Sequence, residues 1–314
     1  MTQNQDLERR ALKLSVAGAA VMAGLGIGFA FLTRSEAILL DGFFSLINFA
    51  MGVLSLKVAR LVSQPDDEHF QFGYASFEPF LNLSKGLLFG LLCLIALYSA
   101  VDALFHGGRP IASGWALLYA VLVVAACFLI AWGQRHAATK TGSPLVEVDA
   151  KGWVLDGLIT SAVCVAFIIL VLIEKTAWSV YTPYADPLIV ILLVVFSAPI
   201  PINIVRSNVR ELLLAAPDAE LQTKIRGKLQ AATQDLPLDR TVIRMVKVGR
   251  HTYLHIYVVV AASDRGADIN NLDEVRERIN VELAGVVPGL SVDVIFTGSE
   301  RWVNIPPPSA GSRT

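Results

Sequence analysis

The chain has 314 residues, of which 54% are hydrophobic and only 17% charged, with a formal net charge of −1. So low a charged fraction excludes an ordinary soluble globular domain, and the near-zero charge gives no general basis for nucleic-acid binding. The three cysteines, Cys93, Cys127 and Cys164, all lie in apolar runs, form no CxxC pair and read as small buried hydrophobes.

The opening MTQNQDLERR is polar and is followed by no small-residue cleavage site, so residues 1–11 read as a cytoplasmic segment ahead of a retained span. A spanning helix needs about 20 mostly apolar residues. Stretches of that kind lie at 12–33, 38–62, 80–105, 112–133, 150–173 and 184–206. Polar breaks separate them, among them Ser63 to Phe70, His106-Gly107-Gly108-Arg109-Pro110 and Gln134 to Pro144. Arg9, Arg10, Lys13, Lys57, Arg60, Arg135, Lys140, Arg206 and Arg210 fall at one set of span ends, and Arg34, Arg109 and Lys175 at the other. The excess of basic residues on the first side predicts that both termini are cytoplasmic. The membrane domain is thus expected over 12–210.

The spans carry polar residues in helical register. In the first, Ala20, Gly24 and Gly28 form a stripe that reads as a close-packing surface. The second span opens SEAILLDGFFSLIN and holds Asp41, Ser45 and Asn48 at i, i+4 and i+7, on one face. The fifth holds Asp149, Asp156 and Thr160 on one face as well. An ionised Asp at mid-membrane costs about 3 kcal/mol on insertion scales, so such residues face protein or water and mark a function. Two carboxylates from two helices can share a hard or borderline divalent cation, or carry protons. The competing reading is a structural polar pair, or an ion pair with Lys85 of the third span. Hydroxyl and amide groups such as Ser45, Asn48 and Thr160 also serve as interhelical or back-bonding hydrogen-bond partners. Glu78, at the edge of the third span, reads as a solvated acid, and Lys85 as a snorkelling or pairing base. Asp186 precedes Pro187 and reads as a helix-start charge for the sixth span, which Pro199 and Pro201 should kink.

Past residue 210 the pattern becomes that of a water-exposed domain. Helices are predicted over Asp218 to Ala232 and Asn271 to Leu283, and strands over Thr241 to Val248, Thr252 to Ala261 and Ser291 to Phe296. The order αββαβ over 211–303 predicts a small α+β domain of ferredoxin-like type, followed by a disordered tail over 304–314. His69, in an acidic loop, reads as solvated. His251 and His255, four apart on a strand and thus about 13 Å apart, read as surface residues.

In order along the chain, these features resemble the cation diffusion facilitator family. SEAILLDGFFSLIN is similar to its second-span signature. FGYASFE at 72–78 resembles its loop into the third span, DAKGWVLD at 149–156 its fifth-span motif, and ELLLAAP at 211–217 its entry to the soluble domain. The resemblance implies a homodimeric secondary transporter that exports a divalent cation from the cytoplasm in exchange for protons, with no resident cofactor. The family's four ligand positions fall on Asp41, Ser45, Gly152 and Asp156, so only two carboxylates remain. Its loop histidine and lysine are Tyr74 and Ser76 here, and its metal-binding His-x-Asp after the last strand corresponds to Phe296-Thr297-Gly298.

A cation site is therefore expected from Asp41, Asp156, Ser45 and Asn48. An oxygen-rich set of this kind suits manganese, iron(II) or magnesium better than zinc. Two other readings stand beside it: the same fold carrying a monovalent or organic cation, and a membrane scaffold or sensor acting through its C-terminal domain. No Ser-His-Asp order, phosphate loop or HExxH points to an enzyme. The expected partners are the lipid bilayer, the transported cation, protons and a second copy of the chain. The expected location is a bacterial inner membrane.

Overall fold

A computed structural model describes residues 3–62, 64–65, 67–141, 144–234, 238–260, 268–287 and 289–303. The tail expected over 304–314 lies outside them.

Seven α-helices come first: α1 (Gln3–Thr33), α2 (Glu36–Val62), α3 (Phe77–Phe105), α4 (Ser113–Thr141), α5 (Pro144–Ile173), α6 (Ala185–Ser197) and α7 (Pro199–Leu212). Among the described residues, six stretches are long and apolar enough to cross a membrane: Arg10–Thr33, Glu36–Val62, Phe77–Phe105, Ser113–Lys140, Asp149–Ile173 and Ala177–Leu212. The chain is a polytopic integral membrane protein. Its helices keep large apolar side chains on the outside, such as Leu94 at 66% and Leu172 at 62% exposure, as hydrocarbon contact requires.

Several helices outrun their apolar spans. The α1 helix starts in the polar opening, and α4 continues from Gln134 to Thr141, where a break was expected. Gln134 to Thr141 contains neither Gly nor Pro, so nothing stops the helix when the apolar run ends. Pro144 then opens α5 at the helix position that tolerates proline. Asp149 is consequently inside α5 and not at its edge. The sixth span divides at Ala198 as expected, because neither Pro199 nor Pro201 can donate to the helical ladder. A 3₁₀ segment, Ala177–Tyr184, leads into it.

The backbone contacts divide the chain into two units, 1–60 with 81–205, and 61–80 with 206–314. In the first, α4 lies along both α5 and α1. Its core includes Met22, Ile38, Leu40, Ala120, Trp153, Phe167 and Val190. The glycine stripe of α1 differs from expectation: Gly24 and Gly28 have open space where a side chain would project. The packing glycines are Gly18, against Ile130 and Trp153, and Gly26, against Gly42 of α2. A Cβ on Gly26 would lie 2.4 Å from the Gly42 Cα, so α1 and α2 cross backbone to backbone one residue from Asp41.

The second unit contains α8 (Ala219–Thr233), β1 (Leu238–Val248), β2 (His251–Val260), α9 (Ile269–Leu283) and β3 (Leu290–Thr297). The strands form a three-stranded mixed sheet in the order β1-β2-β3. The β1–β2 pair is an antiparallel hairpin, and β2–β3 is parallel, a pairing that needs a crossover, here containing α9. Alternate residues of β2, including Leu254, Ile256 and Val258, are buried with Ile225, Leu229, Ile279 and Leu283 of the two helices. His251 and His255 point to the half-exposed face of β2. His255 lies 3.9 Å from Asp293 on β3.

The α2–α3 loop belongs to this second unit and packs on the hairpin turn. Glu78 pairs with Arg250, so it is an ion-pair partner where a solvated acid was expected. The Tyr253 hydroxyl donates to the Phe72 carbonyl at 2.9 Å. Gly249 turns the chain at φ +56°, and its N–H donates to Glu211 Oε2 at 3.0 Å. Within the loop, Asp67 accepts from the Tyr74 hydroxyl and from the N–H groups of Phe70 and His69, which hold its carboxyl below the usual range.

Candidate cation site

The helix that carries Asp41 is fixed at its start by a residue from another span. Ser35 caps α2, accepting from the Ile38 N–H at 3.3 Å. Ser35 Oγ in turn donates to Asp186 Oδ1 at 2.5 Å. The Asp186 carboxylate also accepts from the N–H groups of Glu36 at 2.9 Å and Ala37 at 3.4 Å. It stands in the first turn of α6, as expected, but serves the N-terminus of α2, where a negative charge is favoured by the free N–H groups. Asp186 is fully buried. Beside it, Glu36 pairs with Arg109, and Ser99 accepts from Arg109 at 2.9 Å and donates to Glu36 at 2.9 Å. These polar contacts tie α2, α3, α6 and the α3–α4 loop together.

A turn and a half further along α2, the Tyr119 hydroxyl of α4 donates to Asp41 Oδ2 at 2.6 Å. Tyr119 is 3% exposed, and its ring packs on Phe29. The bond holds Asp41 in one rotamer and leaves its second oxygen for another partner. Spacing along one chain carries no signal for this pairing, because Tyr119 is 78 residues away in a run that reads as plain lipid-facing or core helix.

Asp41, Ser45, Asn48 and Asp156 all line one cavity of about 510 Å³. Asp149, Gly152, Thr160, Lys85 and Cys127 share its wall. The two predicted helix faces thus meet across a common space. Thr160 does not offer a free hydroxyl, since its Oγ1 donates to the Asp156 carbonyl one turn back at 2.9 Å. Among the described residues, no side-chain hydrogen bond engages Ser45, Asn48 or the Asp156 carboxylate, and no ion pair engages Lys85. The ammonium of Lys85 instead lies 5.5 Å over the Phe89 ring. One oxygen of Asp149 is buried without a partner. Trp153, on the same turn, donates to Ser15 of α1 at 2.7 Å. Cys127, read from sequence as a buried hydrophobe, is buried but on this wall.

Among the described residues, no group of three or more His, Cys, Asp and Glu side chains is placed to hold a metal ion. Asp41, Asp149 and Asp156 are the carboxylates that line the cavity, with the neutral side chains of Ser45 and Asn48 beside them. Gly152 contributes open space and no side chain.

Residues 12–213 match the family described as the cation efflux transmembrane domain. An uncharacterized transporter of Synechocystis sp. is 29% identical over 179 residues, 56% of this chain and 54% of that protein, so the alignment spans about half the length of that relative. The manganese efflux system protein MneP of Bacillus subtilis is 21% identical over 288 residues, 90% of this chain and 93% of that protein. Proteins of this family are transporters and not enzymes. The chain belongs to the cation efflux family.

Proposed function

We propose that this protein exports a divalent metal cation from the cytoplasm by proton antiport, through a site made by Asp41 and Asp156 and completed by Ser45, Asn48 and water. One observation carries the reading. Two acids, each on a helix face that sequence periodicity marks as polar, line the same cavity, one of them oriented by Tyr119. A divalent cation replaces protons on these carboxylates, and reprotonation releases it.

Manganese is the preferred cargo, with iron(II) and magnesium next and zinc least. The proposed donors are carboxylate, hydroxyl, amide and water oxygens, which suit hard cations. The relationship to a protein named for manganese efflux agrees with this. The protein works as a homodimer in a bacterial inner membrane, with both termini and a ferredoxin-like C-terminal domain in the cytoplasm. A competition assay in proteoliposomes tests the cargo. Manganese-driven proton flux should be inhibited by excess iron(II) more than by zinc at equal free concentration. Stronger inhibition by zinc would contradict the oxygen-ligand assignment.

A further inference from the structure

Among the described residues that line the cavity, Lys85 is the one basic group, and the transport reading gives it no role. Lys85 lies in the third turn of α3, about 12 Å along the helix from Phe77. Its ammonium rests over the ring of Phe89, one turn deeper in the same helix, and Phe89 is itself 9% exposed. Next to it, Gly86 approaches the sixth span closely. A Cβ there would lie 2.8 Å from Ile204 Cγ2 and 3.0 Å from Val205 Cγ2. Lys85 lines the cavity wall together with Asp41, Asp149 and Asp156.

We propose that Lys85 is a resident counter-cation that matches the charge of this cavity to a single divalent ion. The inference rests on the cation-site reading above. Three carboxylates and one ammonium leave two net negative charges, which one divalent cation neutralises. Without the ammonium, three negative charges would remain, and a bound divalent cation would leave one uncompensated. In a cavity walled by low-dielectric helices such a charge is strongly felt.

The setting of the ammonium suits this role. A lysine locked in a tight ion pair would occupy a carboxylate and block the cargo. Lys85 has no carboxylate within ion-pair distance among the described residues, and its flexible four-carbon stem rests on an aromatic face. It screens the acids of the empty cavity, repels an incoming cation moderately and so limits how tightly the cargo is held. A transporter must release its cargo, so moderate affinity favours turnover.

The test is calorimetric titration of manganese(II) into the purified full-length protein, comparing wild type with Lys85→Gln, Lys85→Met, Lys85→Arg and Asp41→Asn. Both neutral variants should bind manganese about tenfold tighter than wild type, while Lys85→Arg, which keeps the charge, should stay within about threefold. In vesicles the neutral variants should turn over more slowly at saturating manganese. A lysine with a merely structural role would weaken binding when lost, not strengthen it. If Asp41→Asn abolishes binding but both neutral variants bind at or below wild-type affinity, the role of Lys85 is refuted and the site stands. If the wild type itself binds no manganese, the site reading falls and this inference with it. Should Lys85→Gln fail to fold, Lys85→Met carries the same comparison.

Discussion

A carboxylate in a transport site must be fixed well enough to select an ion and left free enough to receive one. Asp41, proposed above as such a ligand, would meet both demands through one bond, from a Tyr119 hydroxyl that occupies Oδ2 only. Removing that hydroxyl leaves the carboxylate in place but lets it sample other rotamers. Hydrogen bonds to charged groups are worth about 1.5–3 kcal/mol, so Tyr119→Phe should weaken manganese affinity by at least about tenfold. Titration of the folded variant checks this, and unchanged affinity would mean that Tyr119 does not orient the ligand. That Asp41, Ser45, Asn48 and Asp156 lie on polar helix faces was legible in the sequence because polar residues in helical register stand out against hydrocarbon, and the four line one cavity. Tyr119 was not, because a tyrosine in an apolar run carries no periodic signature of its partner. Asp186 was half legible: its place at a helix start could be read, but the helix that it caps is 150 residues earlier in the chain.

At the level of elements, position is controlled by glycines at contacts. The α1–α2 crossing puts Gly26 and Gly42 backbone to backbone, and a Cβ on Gly26 would also lie 3.1 Å from the Tyr119 hydroxyl. Gly42→Ala should therefore push the two helices apart, costing about 1–3 kcal/mol, and should lower the melting temperature of the purified protein. Gly24→Ala faces open space and should leave it unchanged. Equal melting temperatures for the two variants would rule out the crossing. In the second unit, Gly249 combines φ +56° with a hypothetical Cβ 2.8 Å from both the Ala75 carbonyl and Glu78 Oε2. Gly249→Ala should loosen the α2–α3 loop from the hairpin, and hydrogen exchange at residues 72–78 should speed up. Exchange at the wild-type rate would show that the loop is held by other means. The repeat of small residues in α1 pointed to a packing stripe, but the contact runs through Gly18 and Gly26 instead. Spacing reveals that small residues share a face; it does not say which face meets a neighbour.

For the whole molecule, composition and hydropathy were enough to read six membrane-crossing stretches and a water-exposed αββαβ region. Solvation dictates both: hydrocarbon demands long apolar helices, and a half-buried sheet demands alternation, as in β2. Helix ends were less legible. A helix continues until a breaker stops it, and α4 runs on through polar residues to Thr141. The convergence of the two acidic faces on one cavity was an expectation that needed three-dimensional packing to support it, since α2 and α5 are separated by two complete spans. The most direct measurement is manganese-dependent proton flux in proteoliposomes containing wild type, Asp41→Asn or Asp156→Asn, each verified as folded. Transport by wild type with loss of about a hundredfold or more in both variants is expected, because each removes one of the two proposed carboxylate ligands. Wild-type flux from either variant would contradict a cation site shared between the second and fifth spans.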